Sequence, residues 1–232
     1  MKQLKKIILK FPQIYLYYKK MTYFFLAFLS GTKEKNIFQE ASTTEYNRHP
    51  DLFKFLEQEY KNNKIKILSF GCSSGEECVS IKSYLPNAKI LGIDINKKNI
   101  EKAKKNNNHK DISYEYCEPH DLIKLDQFDV ILAISVLCKH PEAEYVNNLK
   151  KIYPFNRYEN MIKKLDSLIK KDGLLIIRGS NYIFRDTETS NNYRVIKNSF
   201  GRTPNKFPKF DKNSSKIFNY SEKEEIFQKI VN

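Results

Sequence analysis

The sequence predicts a doubly wound α/β fold, in which a mostly parallel sheet is covered by helices on both sides. Short apolar runs recur from residue 61 onward, with helix-like stretches between them. Those runs are apolar on both faces, as the buried strands of a parallel sheet are. A glycine-rich turn, FGCSSG, joins the first run to the first helix, and such a turn lets main chain approach a ligand closely.

The elements follow in order. IKILSF (Ile65 to Phe70) is a first strand, and EECVSIKSYL after Gly75 is a first helix. KILGIDI (Lys89 to Ile95) is a second strand, followed by the helical composition of KKNIEKAKKNN. ISYEYC (Ile112 to Cys117) is a third strand and FDVILAISVL (Phe128 to Leu137) a fourth. Pro154 to Lys170 reads as a helix, with Ile162, Leu165, Leu168 and Ile169 at helical spacing. Asp172 and Gly173 then turn the chain into a fifth strand, GLLIIRGS. Right-handed crossovers between such strands build a doubly wound layer. Beyond it, NNYRVIKNSF reads as a helix, FGRTPNKFPKFDKNSSKIFNY as a loop or hairpin, and EEIFQKIV (Glu224 to Val231) as a last strand.

A length of 232 residues suits one main domain, expected over residues 61–232, after a helical extension over residues 1–60. The formal charge is +14, and eight lysines against one glutamate lie between Met1 and Lys35. A basic chain favours polyanions such as RNA or an acidic membrane face. The Lys-, Asn- and Ile-rich composition equally spreads charge over solvated faces. Near the start, Lys19 and Lys20 interrupt the apolar stretches, and the uncharged piece from Met21 to Gly31 is too short to cross a bilayer. One or two amphipathic helices are expected there, packed on the domain or resting on a membrane surface. The four cysteines, Cys72, Cys78, Cys117 and Cys138, have no paired spacing, which fits a reducing, cytoplasmic compartment and no metal centre.

The glycine turn narrows the ligand to a nucleotide phosphate, a dinucleotide or S-adenosylmethionine. A Walker loop needs GxxxxGK before Ser or Thr, and a dinucleotide fingerprint needs GxGxxG; the sequence has neither at this turn. Glu76 and Glu77 open the following helix, where they suit its dipole but oppose a bound pyrophosphate. S-adenosylmethionine carries no phosphate and two cationic centres, so acid beside it is acceptable. Asp94 ends LGID nineteen residues after Gly75, at the strand tip where a carboxylate accepts hydrogen bonds from both ribose hydroxyls.

With these residues in place, LSFGCSSGEE, LGIDI, FDVILAISVL and KDGLLIIRG resemble the successive motifs of class I S-adenosylmethionine-dependent methyltransferases. GCSSGEE is most similar to the GCSTGEE turn of the chemotaxis-receptor glutamate methyltransferases. The resemblance covers roughly residues 61 to 180 and implies a Rossmann-like sheet of about seven strands, with EEIFQKIV as its antiparallel edge strand. It implies S-adenosylmethionine as cofactor, leaving S-adenosylhomocysteine as product. It further implies that Phe70, Gly71, Cys72, Ser73 and Gly75 line the methionine end, Asp94 holds the ribose and Ile95 lies against adenine. Glu118, Pro119, His120 and Asp121 would meet the adenine amino group, and Ala133 and Ile134 would pass the transferring methyl. No DPPY or NPPY follows the fourth strand, so amino-methylating nucleic-acid enzymes lose support. The regulatory features of the receptor-methylating enzymes are not traceable, so protein glutamate does not follow as the acceptor.

Among candidates for chemistry, His140 lies just beyond the fourth strand, and an imidazole is the side chain best suited to a general base under neutral conditions. Its other reading is a surface histidine before Pro141. Tyr46, Arg48 and His49 precede the domain, and Asn181 and Arg185 follow the fifth strand; both groups are candidates to enclose an acceptor, the arginines suiting a carboxylate or phosphate. Helix capping and loop packing are their alternative roles. The reading is therefore a methyltransferase acting on an O, N or S atom of a small molecule. The alternatives are an RNA or protein acceptor, or a non-catalytic S-adenosylmethionine-binding or membrane-associated partner protein.

Overall fold

The computed structural model describes residues 37–39, 44–198, 207–220 and 224–231, with Tyr17 and Met21 as isolated positions. The amphipathic helices expected before Gly31 lie outside the described residues. Among the elements whose bounds lie within the described residues, the first is α1 (Pro50–Tyr60), whose proline sits in the first turn, where a missing N–H costs nothing. It buries Leu52, Phe53, Phe55 and Leu56 along one stripe, and that stripe packs against α2 (Glu76–Tyr84).

Between and after these helices come β1 (Lys66–Phe70), β2 (Lys89–Asp94), α3 (Lys97–Lys105), β3 (Ile112–Tyr116) and β4 (Phe128–Ile134). They are followed by α4 (Phe155–Ser167), β5 (Ile169–Arg178), β6 (Tyr193–Asn198), β7 (Lys209–Phe210), β8 (Lys216–Ile217) and β9 (Glu224–Lys229). Asn96 starts α3, its side chain accepting from Lys98 N and Asn99 N at 3.0 and 3.4 Å.

Seven strands form one sheet in the order β3-β2-β1-β4-β5-β9-β6, while β7 and β8 make a separate hairpin. β1 to β5 pair in parallel, with Ser69 opposite Gly92 on one side and Leu132 on the other. β9 runs antiparallel to both β5 and β6, so the expected antiparallel last strand is present, one place in from the edge. One face of the sheet packs on α1, α2 and α3 through Phe53, Ile67, Ile81, Ile100 and Ile176. The other packs on α4 through Leu68, Ile131, Tyr158, Ile162 and Leu175.

Two expectations are corrected. The described part of NNYRVIKNSF, residues 191–198, is not an α-helix: a 3₁₀ segment, Glu188–Asn192, leads into strand β6. Tyr193 is buried, Arg194 exposed, Val195 half-buried and Ile196 exposed, a period of two that a strand beside β9 satisfies. Asp172 and Gly173 do not precede the fifth strand but sit inside β5. There the register shifts opposite Phe128 and Val130, and Asp172 takes φ +64°.

The topology sets the location of a site. β1, β2, β3, β4 and β5 end at Phe70, Asp94, Tyr116, Ile134 and Arg178, all on one edge of the sheet. Chain order runs outward from β1 on one side and from β4 on the other. The crevice above that switch point is where open α/β sheets bind ligands.

Candidate functional site

The turn after β1 is pinned to the tip of β2. Gly71 N and Cys72 N both donate to Ile93 O, at 2.8 and 2.9 Å, and Gly75 N closes the turn on Cys72 O at 3.1 Å. Gly71 has φ +80°, and a Cβ on it would lie 2.6 Å from Val136 Cγ2. Gly75 has φ +94°, and a Cβ there would meet Tyr114 Oη at 2.6 Å. Both positions therefore exclude a side chain on backbone and spatial grounds together. Cys72 is buried under the turn, and Phe70 is half-buried at the strand end.

Asp94 completes this corner. Its Oδ2 accepts from Ser73 N at 2.8 Å and its Oδ1 from Asn96 N at 2.7 Å. Burial raises its pKa, and main-chain N–H donors from Asn96, Ser73 and Ile95 oppose that rise. The carboxylate is thus held rigidly against the glycine turn, with Ile95 half-buried beside it.

Glu77 on the first turn of α2 accepts from Ser69 Oγ at 2.8 Å. Burial pushes its pKa up to about 7, against the pull of that hydrogen bond and of Arg48 and Arg178. Glu76 is bound by Ser74 Oγ through both oxygens, at 2.9 and 2.8 Å. Two carboxylates at the helix start make this turn hostile to phosphate and hospitable to a cation.

The turn after β3 lies next to Asp94, since Cys117 N donates to Asp94 O at 3.1 Å. Tyr116 Oη donates to Glu118 Oε1 at 2.6 Å. The exposed His120 lies 3.6 Å from Glu118 Oε2 and 3.5 Å from Asp121 Oδ2. Asp121 pairs with Lys124 at 2.6 Å, and Pro119 O accepts from Lys164 Nζ at 2.8 Å. On the other side of β1, Ala133 and Ile134 are buried, and Ser135 N donates to Arg178 O at 2.7 Å.

His140 is 38% exposed, with Nδ1 3.0 Å from Glu144 Oε1 and its ring set edge-on to Phe207. HPEAE spaces the two residues four apart, but only the 3₁₀ segment Glu142–Tyr145 brings Glu144 back to the imidazole. Arg178 is a second residue that motif reading passed over; a lone cation ending an apolar strand was its signal. It is buried, donates to Glu225 Oε2 at 3.1 and 2.6 Å, and lies 3.0 Å from His49 Nδ1.

The remaining candidates separate. Tyr46 is 65% exposed, while Arg48 is close enough to lower the Glu77 pKa. Asn181 is fully buried, with Oδ1 accepting from Lys139 N at 2.6 Å and Nδ2 donating to Pro208 O at 3.0 Å. Its amide clamps two loops. Arg185 is exposed and paired with Glu224 at 2.8 Å. Among the described residues no hydrogen bond or ion pair joins Tyr46, Asn181 and Arg185 to one another.

Residues 61–229 match the family profile described as a methyltransferase domain. The chain belongs to that family. This methyltransferase is 33% identical over 132 residues to the ubiquinone biosynthesis O-methyltransferase of Pelagibacter ubique, covering 56% of this chain and 48% of that protein. It is 28% identical over 127 residues to the malonyl-[acyl-carrier protein] O-methyltransferase of Bacillus anthracis, covering 54% and 41%. The methyltransferase chain thus spans about half the length of these curated relatives. Magnesium protoporphyrin IX methyltransferase from Synechocystis, solved with bound S-adenosylmethionine, aligns with TM-score 0.51 and 16% identity over 78% of this chain and 77% of that one. Family and fold make this chain a class I S-adenosylmethionine-dependent methyltransferase domain.

Proposed function

We propose that the protein transfers a methyl group from S-adenosylmethionine to an oxygen, nitrogen or sulfur atom of a small-molecule acceptor. Oxygen comes first, because it is the atom methylated according to the names of both curated relatives. The observation that carries the reading is Asp94 hydrogen-bonded at 2.8 Å to Ser73 N, within a turn that a Cβ at Gly71 would fill. A fixed carboxylate beside bare main chain suits a ribose, and the acidic start of α2 suits a cationic methionine end rather than phosphate.

In this reading Phe70, Gly71, Cys72, Ser73 and Gly75 hold the methionine end, Asp94 the ribose and Ile95 one face of adenine. Glu118, Pro119, His120 and Asp121 border the adenine edge, and Ala133 and Ile134 flank the reacting methyl. The cofactor supplies a methyl already activated on a sulfonium. The chain supplies alignment and a proton acceptor. His140 takes the acceptor's proton at Nε2, with Glu144 Oε1 3.0 Å from Nδ1 on the other side of the ring.

Residues 1–60 serve as an extension closing over this edge. Support comes from Ile37 O, which accepts from Lys139 Nζ at 2.8 Å and Arg157 Nη2 at 2.9 Å, and from Phe38 buried against Tyr153. Arg48 and His49 border the same edge of the sheet. The protein is assigned to the cytoplasm, with the basic N-terminal segment available to an acidic membrane face; among the described residues no helix is long and apolar enough to cross a membrane.

The deciding experiment is calorimetry with S-adenosylhomocysteine, followed by incubation of the protein with labelled cofactor and a small-molecule extract. Saturable binding and labelled product are expected. Label appearing only in RNA or protein fractions would transfer the reading to a macromolecular acceptor, and binding without any turnover would make this a non-catalytic partner.

A further inference from the structure

Two thiols that take no part in methyl transfer lie beneath the turn after β1. Cys72 belongs to that turn and Cys78 to the first turn of α2, and both are buried free cysteines. A Cβ on Gly92, inside β2, would lie 2.9 Å from each sulfur and 2.8 Å from the Tyr114 ring. The two side chains therefore converge over one bare spot on β2, where they share a hydrogen-bonding contact. The other cysteines are placed differently. Cys117 Sγ donates to Glu118 O and Cys138 Sγ to Ser135 O, each at 3.5 Å within its own loop.

The pair sits inside the geometry that shapes the cofactor corner. Cys72 N donates to Ile93 O at 2.9 Å, and Cys72 O accepts from Gly75 N at 3.1 Å. The next residue, Ser73, donates its N–H to Asp94 at 2.8 Å. Tyr114 Oη donates to Gly75 O at 3.1 Å, while its ring lies against the same bare spot on β2. Cys72 cannot shift without disturbing the main chain that meets Asp94. Contact with Cys78 and burial together hold the Cys72 thiol well above its ordinary pKa, so it is inert while the turn stays closed.

We infer that Cys72 and Cys78 form a redox-sensitive pair: a hydroperoxide joins them in a disulfide when the cofactor is absent, and the disulfide weakens cofactor binding. One sulfur takes an oxygen from the peroxide as the O–O bond breaks, giving a sulfenic acid and one water. The second thiol attacks that sulfur, and the S–S bond forms as the hydroxyl leaves with the thiol's proton as a second water. Two thiols thus lose two electrons, and one peroxide is reduced to two waters. A disulfide bond is about 2 Å long, well inside the contact distance of two thiols. Closing it draws Cys72 toward α2 and pulls Ser73 N away from Asp94. Bound cofactor keeps the turn closed and protects the pair. In a reducing compartment such a disulfide is transient, because small thiols return it to the dithiol. The inference rests on the methyltransferase reading, which assigns this turn to the cofactor.

The test uses the full chain in three samples: reduced with dithiothreitol, treated with hydrogen peroxide, and treated with peroxide in saturating S-adenosylhomocysteine. Remaining thiols are alkylated under denaturing conditions, and linkages are mapped by peptide mass spectrometry. Calorimetry gives S-adenosylhomocysteine affinity for the first two samples once peroxide is removed. A Cys72–Cys78 linkage, lighter by two hydrogens, should form without ligand and be absent with it. Affinity should fall about tenfold or more on oxidation and return with dithiothreitol. Cys78→Ala should bind S-adenosylhomocysteine as the parent does and keep that affinity after peroxide. If that variant does not fold, the map and the dithiothreitol reversal in the parent decide. No linkage between these two cysteines, a linkage that forms equally with ligand bound, or one that leaves affinity unchanged overturns the inference. So does equal peroxide sensitivity in Cys78→Ala. In all these cases the reduced parent still binds S-adenosylhomocysteine. A reduced parent that does not bind it removes the methyltransferase reading itself, and this inference with it.

Discussion

Arg178, the last residue of β5, lies 3.0 Å from Nδ1 of His49, the residue just before α1. A guanidinium only donates, so the imidazole accepts at Nδ1 and carries its proton on Nε2. The same guanidinium holds Glu225 at the start of β9, at 2.6 Å. One buried cation thus ties the N-terminal segment, the centre of the sheet and the last strand together at the site edge.

Removing that cation should leave Glu225 buried and unpaired. Arg178→Leu is expected to destabilise the fold by about 3–5 kcal/mol, the usual cost of breaking a buried ion pair from one side. Chemical denaturation measures it. A loss of under about 1 kcal/mol, the range of an exposed pair, would mean that Arg178 does not bridge these elements.

Asp94→Ala should weaken S-adenosylhomocysteine binding by about 1.5–3 kcal/mol, the loss of a charged hydrogen-bond partner. Calorimetry gives the value directly, and unchanged affinity removes Asp94 from the site. Because Asp94 also anchors Ser73 N, a melting curve on the same variant separates lost ligand contact from a loosened turn.

Gly71→Val forces a β-branched side chain into φ +80° and onto Val136. S-adenosylhomocysteine binding should vanish, while far-UV circular dichroism still reports the sheet. A normal titration curve from this variant would show that the cofactor does not approach the turn.

The raised pKa of Glu77, about 7, makes two signed predictions. The folded protein holds this proton more tightly than the unfolded chain, so the contribution of Glu77 to stability falls as pH rises from about 4.5 to about 7. Glu77→Gln should therefore raise the melting temperature at pH 8 and change it little at pH 4.5. Cationic cofactor should bind better once Glu77 is ionised, so S-adenosylmethionine affinity should rise through neutral pH in the parent and stay flat in the variant. Parallel pH profiles for the two proteins would refute both.

His140→Gln should lower kcat by about 10²–10⁴-fold, the range for a positioned general base, with cofactor affinity unchanged. Glu144→Gln should lower it less, because Glu144 acts only through the imidazole. Equal turnover in His140→Gln would return that residue to the surface.

The strands and the cofactor corner were legible because their signals are local. Apolar runs, FGCSSG and LGID each lie within a few consecutive residues, and main-chain geometry fixes their meaning. NNYRVIKNSF was misread as helix because its period of two is short, and only pairing with β9 gives it a reason to extend. The clamp made by Asn181 was illegible for a different cause: nothing in the residues around a polar side chain after a strand names the two loops it joins.

The sequence by itself determined the order of elements, the bare turn after β1 and the acid at the tip of β2. Each of these is written in neighbouring residues through backbone conformation and side-chain period. Tertiary structure alone decided that Glu144 meets His140, that Arg178 joins His49 to Glu225, and that Phe207 and Lys209 line one cavity. These groups come from separate segments, and their partnership depends on strand register and loop closure. Local sequence encodes neither.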